Sequence, residues 1–217
     1  MAQFKRSELL LKPPTGGKFI KYEDPEEKGI IAELEKRTDF EALRLKRLLS
    51  LPDLTRRTNS PLKFILDKIL ALPAFQEFDV LTIPETITVH NSFDVFNFPA
   101  DHPGRRPTDT FFIAPERVLR THTTSMWVYY LSDPKVRELL EERGWVGELA
   151  YGKVFRKDEI DSHHFPVFHQ CDGLYIVKNA KEKVTRKILE DVLASIVRAI
   201  FGPKVEFKFL EDNVCEF

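Results

Sequence analysis

Positions 161 to 173 read DSHHFPVFHQCDG and hold three of the chain's six histidines, one cysteine and two aspartates. Histidine, cysteine and aspartate are the usual protein ligands of transition metals. However, His163 and His164 are adjacent and would diverge in an extended loop, while His169 and Cys171 are only two ligands on one strand face. The spacing matches none of the usual zinc patterns. A metal-dependent hydrolase is therefore a poor alternative that depends on the histidines alone.

Two strand candidates flank this loop and position a second set of chemical groups. They read GELAYGKVFRKDE (147–159) and PVFHQCDGLYIVK (166–178), and IDSHHF connects them. Strand side chains alternate between the two faces of a sheet, so His169 and Cys171 lie on the face opposite to that of Phe168, Gln170 and Asp172. Pairing of the two strands is expected to gather five side chains over one surface: Arg156, Asp158, Phe168, Gln170 and Asp172.

This set of side chains is typical of a site for phosphate and a cation together. The planar guanidinium of Arg156 can bind two phosphate oxygens at once. Carboxylates can hold Mg²⁺, which the same phosphate also ligates. Phe168 offers a ring for stacking. From the residue types alone, a surface ion pair on a sheet remains an open alternative.

The elements that position these residues divide the chain into two predicted parts. Residues 1–58 form an N-terminal extension, with a loop over 1–25 and one or two surface helices over 26–51. Its basic stretch LRLKRLLSLPDLTRR is either a solvated helix face or a nucleic-acid contact. The second part, 59–217, begins with a helix that Ser60 caps and that stops at Pro73.

The rest of the second part alternates strands, a long loop and helices. Residues 78–89 predict a strand interrupted at Pro84, and 91–113 predict a long loop of the kind that is often functional. A helix is expected at roughly 124–142 and a strongly amphipathic one over 181–202. The alternating KVEFKFL (204–210) predicts a final strand.

Composition is typical of a globular protein, with 42% hydrophobic and 31% charged residues among 217. The net charge of -1 argues against a mainly electrostatic nucleic-acid or membrane binder. Cys171 and Cys215 are too few for a disulfide framework. No apolar run resembles a signal peptide or a membrane span, so we expect a cytoplasmic protein.

Three segments in order carry a resemblance to a known family. GKVFRKDEIDSHHFPVFHQCDGL resembles the second signature motif of class II aminoacyl-tRNA synthetases, and more narrowly that of the phenylalanyl-tRNA synthetase catalytic (α-type) chain. FDVFNFPADHPGRRPTDTFFI and LRTHTT are similar to two further segments of that family. The resemblance extends from about Asp53 to Phe217 and does not cover residues 1–52. It implies an α+β fold in which helices flank an antiparallel sheet, incomplete at its C-terminal end.

The resemblance implies a role for each matched residue. Arg156 would bind the α-phosphate of ATP in the transition state. Asp158 would lie near the nucleotide, and His164 would contact the distal phosphates. Phe168 would stack on adenine. The residues that would line the amino-acid side are His122, Thr124, Gln170 and Asp172. ATP would carry Mg²⁺ with it, so no metal bound by the protein itself is expected.

The implied activity is ATP-dependent activation of phenylalanine and its transfer to tRNA(Phe). The implied partners are a second copy of the chain, contacted through the region of Pro84, and a β-type subunit. Two departures from the family favour an alternative, a non-catalytic paralogue or interaction module. Trp127 replaces a glutamine that the family uses to bind the amino acid, and the glycine-rich third signature motif is not found.

Overall fold

The computed structural model describes residues 16–178 and 184–210, and its architecture is of the predicted α+β class. The strands are β1 (Phe19–Lys21), β2 (Asp79–Thr82), β3 (Thr86–Thr88), β4 (Phe112–Ala114), β5 (Arg117–Leu119), β6 (Trp145–Phe155) and β7 (Val167–Val177). The helices are α1 (Glu27–Lys36), α2 (Phe40–Ser50), α3 (Pro61–Leu70), α4 (Val89–Ser92), α5 (Met126–Ser132), α6 (Pro134–Arg143) and α7 (Arg186–Phe201).

The larger sheet has the strand order β1-β2-β6-β7 and is centred on the predicted hairpin. Strands β6 and β7 pair antiparallel over eleven residues each, in a register that places Val154 opposite Phe168. Strand β1 pairs parallel with β2, and β2 pairs parallel with β6, so this sheet is mixed. A smaller antiparallel sheet has the order β3-β5-β4.

Helices cover both faces of the larger sheet, as their apolar periodicity predicts. Helices α3 and α7 pack on one face. There Leu66 and Ile69 of α3 form a hydrophobic cluster with Leu149 of β6, and Val192 and Ile196 of α7 pack against this cluster. Helices α5 and α6 pack on the other face through a cluster that includes Met126, Tyr130, Val136, Val146 and Ala150. The strand β6 is consequently buried along nearly its whole length.

Several helix boundaries agree with local chemistry. The Ser60 hydroxyl accepts a hydrogen bond from the Leu62 N–H, and Pro61 occupies the first turn, as predicted. The segment 26–51 forms two helices, and Asp39 caps the second by accepting from the Ala42 N–H. The helix predicted over 181–202 is observed as α7, while residues 181–183 lie outside the described residues.

Three predicted elements are wrong in the structure. The predicted N-terminal loop contains β1, which exists because its backbone pairs with β2 sixty residues later. The single helix predicted near 124–142 is two helices, because Pro134 disfavours helical geometry at Asp133, whose side chain caps α6 instead. The segment 204–210 is irregular, since none of the described strands pairs with it.

The hairpin also differs from its predicted limits. Strand β6 begins at Trp145 and ends at Phe155, whereas the prediction ran from Gly147 to Glu159. The chain leaves the ladder there because the Lys157 N–H bonds to the Asp109 carbonyl instead of a strand partner. The loop predicted over 91–113 holds the end of α4, short 3-10 turns and the start of β4.

The described part of the predicted N-terminal extension shares a core with the second part. Leu34, Ala42, Leu45 and Leu48 of α1 and α2 are buried in one cluster with residues of β4, β5, β6 and β7. The division at residue 58 stays a prediction. Within residues 16–178 and 184–210, no helix has the length and apolar character required to span a membrane.

Candidate active site

The hairpin register brings four of the predicted side chains onto one face. Phe168, Gln170 and Asp172 lie opposite Val154, Gly152 and Ala150, respectively. Arg156 follows the last residue of β6, and its guanidinium lies 5.1 Å from the centroid of the Phe168 ring. Its Nε donates to the Thr121 carbonyl at 3.3 Å, and the side chain is otherwise exposed. This geometry leaves most of the planar guanidinium free to bind an anion.

The segment that follows β5 closes the other side of this face. The Thr123 N–H donates to the Gln170 side-chain oxygen at 3.1 Å. The Thr124 hydroxyl donates to one carboxylate oxygen of Asp172 at 2.6 Å, and the Gly173 N–H donates to the other. The structure therefore brings Thr124, Gln170 and Asp172 together, as the strand alternation predicted for the latter two.

His122 lies in the same segment and is held as a neutral ring. Its Nε2 lies 3.0 Å from the Ser92 carbonyl, which can only accept, so Nε2 carries the proton. Its Nδ1 is buried and has no hydrogen-bond partner among the described residues. Burial is the main cause that lowers the pKa of His122, and the nearby Arg156 charge adds to it. The free Nδ1 is thus an acceptor that can receive a hydrogen bond from a ligand.

Aromatic rings that sequence reasoning did not single out surround His122. Phe96 lies edge-on at 5.4 Å, and Phe98 stacks at 6.5 Å between ring centroids. Phe96 also lies 6.1 Å from Trp127, whose indole N–H is buried without a partner among the described residues. The high phenylalanine content of the long loop could have indicated these rings, but it is equally typical of a loop that packs into the hydrophobic core.

Two predicted site residues are not part of this cluster. Asp158 is exposed beyond the end of β6, where the strand alternation that was expected to align it no longer holds. His164 is exposed in the hairpin loop, and its Nδ1 lies 2.9 Å from an Asp161 oxygen. The hydrogen bond to Asp161 is the main cause that raises the pKa of His164, and the same bond lowers the pKa of Asp161 to about 2.

His169 and Cys171 of the hairpin point away from the cluster, as predicted. The Nε2 of His169 accepts a hydrogen bond from the Leu54 N–H at 2.9 Å. Burial lowers the pKa of His169, in agreement with a neutral ring. Cys171 is exposed on the same strand. Among the described residues, no three histidine, cysteine or acidic side chains are arranged to hold a metal ion.

A buried arginine fixes the site segment to β6. The Arg120 guanidinium donates to the carbonyls of Ile83 at 2.9 Å and Pro84 at 3.1 Å through Nη1, and to the Lys153 carbonyl at 2.6 Å through Nη2. The Arg120 carbonyl accepts from the Phe155 N–H at 2.9 Å. Arg120 therefore sets the position of the neighbouring Thr121 and His122 relative to the end of β6, where Arg156 begins.

Glycine at position 152 leaves the space that Arg120 needs. A Cβ atom there would lie 3.0 Å from Arg120 Nη2 and 3.3 Å from an Asp53 oxygen, and the residue has a φ of +151°. Side chains rarely adopt this backbone conformation. The glycine is thus explained by the close approach of a buried guanidinium, in the middle of the strand that leads to Arg156.

Comparison with known proteins agrees with this architecture. The model of the family tRNA synthetases class II core domain (F) matches residues 49–214. A phenylalanine–tRNA ligase alpha subunit of Mycolicibacterium vanbaalenii is 34% identical over 185 residues, which are 82% of this chain and 50% of that protein. The alpha subunit of the same name from Moorella thermoacetica is 34% identical over 179 residues, 81% of this chain and 49% of that protein. The chain thus spans about half the length of these curated relatives.

Solved structures support the fold alone. The crystal structure of pyrrolysyl-tRNA synthetase from Desulfitobacterium hafniense superposes with a TM-score of 0.50 at 20% sequence identity. The matched region covers 82% of this chain and 60% of that one. Together with the family match, this confirms the predicted fold class and the resemblance carried by the three motifs. The chain belongs to the family of class II tRNA synthetase core domains, in its (F) group.

Proposed function

We propose that this chain provides the catalytic core of an ATP-dependent ligase that activates phenylalanine and transfers it to tRNA(Phe). The observation that carries the proposal is the cluster on one face of the hairpin. There an exposed arginine beside a phenylalanine ring adjoins Gln170, Asp172 and the segment of His122 and Thr124. The arrangement offers an anion-binding end and an amino-acid-binding end next to each other.

At the anion-binding end, Arg156 binds the α-phosphate of ATP while Phe168 stacks on adenine. The phenylalanine carboxylate attacks the α-phosphorus, a C–O–P bond forms, and the bond to the leaving pyrophosphate breaks. Negative charge grows on the phosphate oxygens in this step, and a preorganised guanidinium compensates it. In this proposal His164 contacts the distal phosphates and Asp158 lies near the nucleotide, both from the exposed chain beyond Arg156.

At the amino-acid end, Asp172, Gln170 and the free acceptor Nδ1 of His122 hold the amino group. Thr124 keeps Asp172 in place, and the carboxylate lies beside Arg156. Positioning of the two reactants supplies much of the rate, because it removes the cost of bringing them together. The terminal ribose hydroxyl of the tRNA then attacks the carbonyl carbon, the bond to AMP breaks, and the hydroxyl proton passes to the leaving phosphate or to solvent. No protein nucleophile is required.

Mg²⁺ belongs to the same proposal as a companion of ATP. In this proposal the phosphate oxygens of the substrate hold the ion. When bound, Mg²⁺ offsets phosphate charge. The proposed assembly includes a β-type subunit and a second copy of the chain near Pro84, and the proposed compartment is the cytoplasm.

Trp127 favours a second candidate function, that of a non-catalytic paralogue. Its half-buried ring lies beside Phe96, where the resembling family has a glutamine that binds the amino acid. A ring in that place reduces the room for a substrate side chain. This candidate predicts a folded chain that binds neither ATP nor phenylalanine.

Isothermal titration with ATP–Mg²⁺ and then with phenylalanine, followed by ATP–pyrophosphate exchange, separates the two candidates. The ligase proposal expects binding of both and exchange that depends on phenylalanine. Arg156→Lys should weaken ATP binding or exchange by roughly ten- to a hundred-fold, because a lysine cannot copy the planar contact with phosphate. Arg57→Lys, a change at another exposed arginine, is the matched control and should leave both unchanged. Wild-type protein that binds neither ligand would contradict the ligase proposal.

A further inference from the structure

Glu148 is a buried acid that no other part of the structure explains. Its exposed fraction is 0%, and neither carboxyl oxygen has a hydrogen-bond partner among the described residues. It lies in the middle of β6, paired with Asp79 of β2 on one side and Leu174 of β7 on the other. A buried carboxyl group without partners costs free energy, so its presence in this position requires a reason.

The ionisable groups that face Glu148 are acids and phenols. Asp79 on β2 accepts from the Tyr130 hydroxyl of α5 at 2.8 Å and from the Lys18 N–H at 2.9 Å. The charge of Asp172 on β7 raises the pKa of Glu148, and the charge of Glu148 raises the pKa of Tyr22, which follows β1. Burial, then the charges of Asp172 and Asp79, raise the pKa of Glu148 to about 9. The carboxyl group is therefore protonated at neutral pH, and the charges that act on it from the described residues are negative.

Glu148 adjoins the amino-acid end of the candidate active site. Ala150, the next residue of β6 on the same face, is paired with Asp172. Diagonal neighbours on one face of a sheet are about 7–8 Å apart, which long side chains can bridge. Helix α5 covers this face and begins just after Thr124, the partner of Asp172. Trp127 in that helix carries a second buried polar group without a partner among the described residues.

We propose that Glu148 is a second acid of the amino-acid site, which together with Asp172 neutralises the α-ammonium group of the bound amino acid. This inference rests on the proposed ligase function. It adds Glu148 to the residues that bind the amino acid, and it adds the release of a proton on binding. Upon binding, the Glu148 carboxyl group loses its proton to solvent, and the carboxylate faces the ammonium group, which keeps its own protons. A metal ion is not the expected occupant, because the described residues form no cluster of metal ligands here.

The proton provides a readout that a purely structural acid would not give. An opposite charge nearby lowers the pKa of an acid by about 1 to 3 units. Binding at pH 8 should therefore release about 0.4 proton or more, and binding at pH 5.5 should release at most about a quarter of a proton. Affinity for the amino acid should rise with pH over the same interval, since release of a proton on binding and pH dependence of binding are linked.

The experiment is titration calorimetry of phenylalanine at pH 8 in phosphate and in Tris, and at pH 5.5 in acetate and in MES, because the two buffers of each pair differ in ionisation enthalpy. The dependence of the observed heat on the buffer gives the number of protons released. Glu148→Gln should abolish the release and weaken phenylalanine binding about ten-fold or more, while ATP binding remains and the melting temperature at neutral pH does not fall. Glu138→Gln, at an exposed glutamate of α6, is the matched control. The analogue 3-phenylpropanoate, which lacks the ammonium group, should bind without release.

Each outcome decides one of the two proposals. Equal proton release and equal affinity in wild type and Glu148→Gln would overturn the role of Glu148 and leave the ligase proposal standing. If phenylalanine does not bind, the same titrations are made with the other standard amino acids. Binding of another one with release that Glu148→Gln abolishes would support the role of Glu148 and overturn phenylalanine as the substrate. Wild-type protein that binds no amino acid would overturn both.

Discussion

Two arginines near the β6–β7 hairpin have opposite environments. Arg120 is 4% exposed and donates through Nε, Nη1 and Nη2 to three backbone carbonyls, with the charges of Glu85 and Asp53 nearby. Arg156 is exposed and makes one hydrogen bond of 3.3 Å through Nε. The backbone connects the two, because the Arg156 Nε donates to Thr121, the residue after Arg120.

Arg120 holds the segments of the candidate site together, whereas Arg156 is free to bind a ligand there. A guanidinium with its donors occupied by carbonyls cannot also bind a phosphate. An exposed guanidinium beside an aromatic ring keeps that capacity and contributes little to folding. Lys153 belongs to the first kind as well, since its buried ammonium group donates to the carbonyls of Leu49 and Leu51 and pairs with Glu85.

The largest effect is expected from Arg120→Met. This substitution leaves the carbonyls of Ile83, Pro84 and Lys153 without their donor and Glu85 without one of its nearby positive charges, so it should lower the free energy of unfolding by about 3 kcal/mol or more. Arg156→Met is the matched variant and should change it by less than about 0.5 kcal/mol. Urea denaturation of both variants measures the difference. Similar losses in the two would remove the distinction between the arginines.

A smaller loss of stability is expected from Gly152→Ala. The added methyl group would approach the Arg120 guanidinium at 3.0 Å in a backbone conformation that disfavours side chains. We expect about 1 to 3 kcal/mol of destabilisation, measured by the same denaturation. Gly29→Ala in α1 is the control, because a Cβ there meets no atom within 4 Å. An undiminished stability of Gly152→Ala would mean that the strand and Arg120 can move apart easily.

Glu148 tests a third case, a buried ionisable group without partners among the described residues. Its pKa of about 9 in the folded protein lies above the ordinary 4.5, so between these values the folded state holds a proton that the unfolded state has lost. Stability should consequently fall as pH rises through this window, by up to about 1.4 kcal/mol per pH unit. Glu148→Gln should remove that slope. Parallel stability curves of wild type and variant between pH 6 and pH 8 would contradict the assignment.

The smallest effect concerns the exposed pair Asp161 and His164. Asp161→Asn removes the carboxylate that raises the pKa of His164, so this pKa should fall toward its ordinary value. Two-dimensional NMR of the histidine ring protons against pH measures it. The melting temperature should not change, since both side chains are exposed. An unchanged His164 titration would show that the pair does not form in solution.

Local patterns predicted the elements whose causes are local. The hairpin follows from two runs of alternating residues around a polar loop, and the start of α3 follows from Ser60 and Pro61. The alternation also placed Gln170 and Asp172 on one face and His169 on the other. It could not place Asp158, because the strand ends at Phe155 for a reason that lies in a contact with Asp109, almost fifty residues earlier.

The family resemblance, the hairpin and the likeness of its charged face to a phosphate site could be read from the sequence, because each depends on the order of neighbouring residues. Contacts between distant segments were needed to show that β1 is a strand, that Arg120 is buried where Arg156 is exposed, and that Glu148 is an acid without a partner among the described residues. The sequence alone does not show whether an arginine or a glutamate is buried or exposed. Their protonation and their roles depend on burial and on partners contributed by strands far apart in the chain, which no local periodicity records.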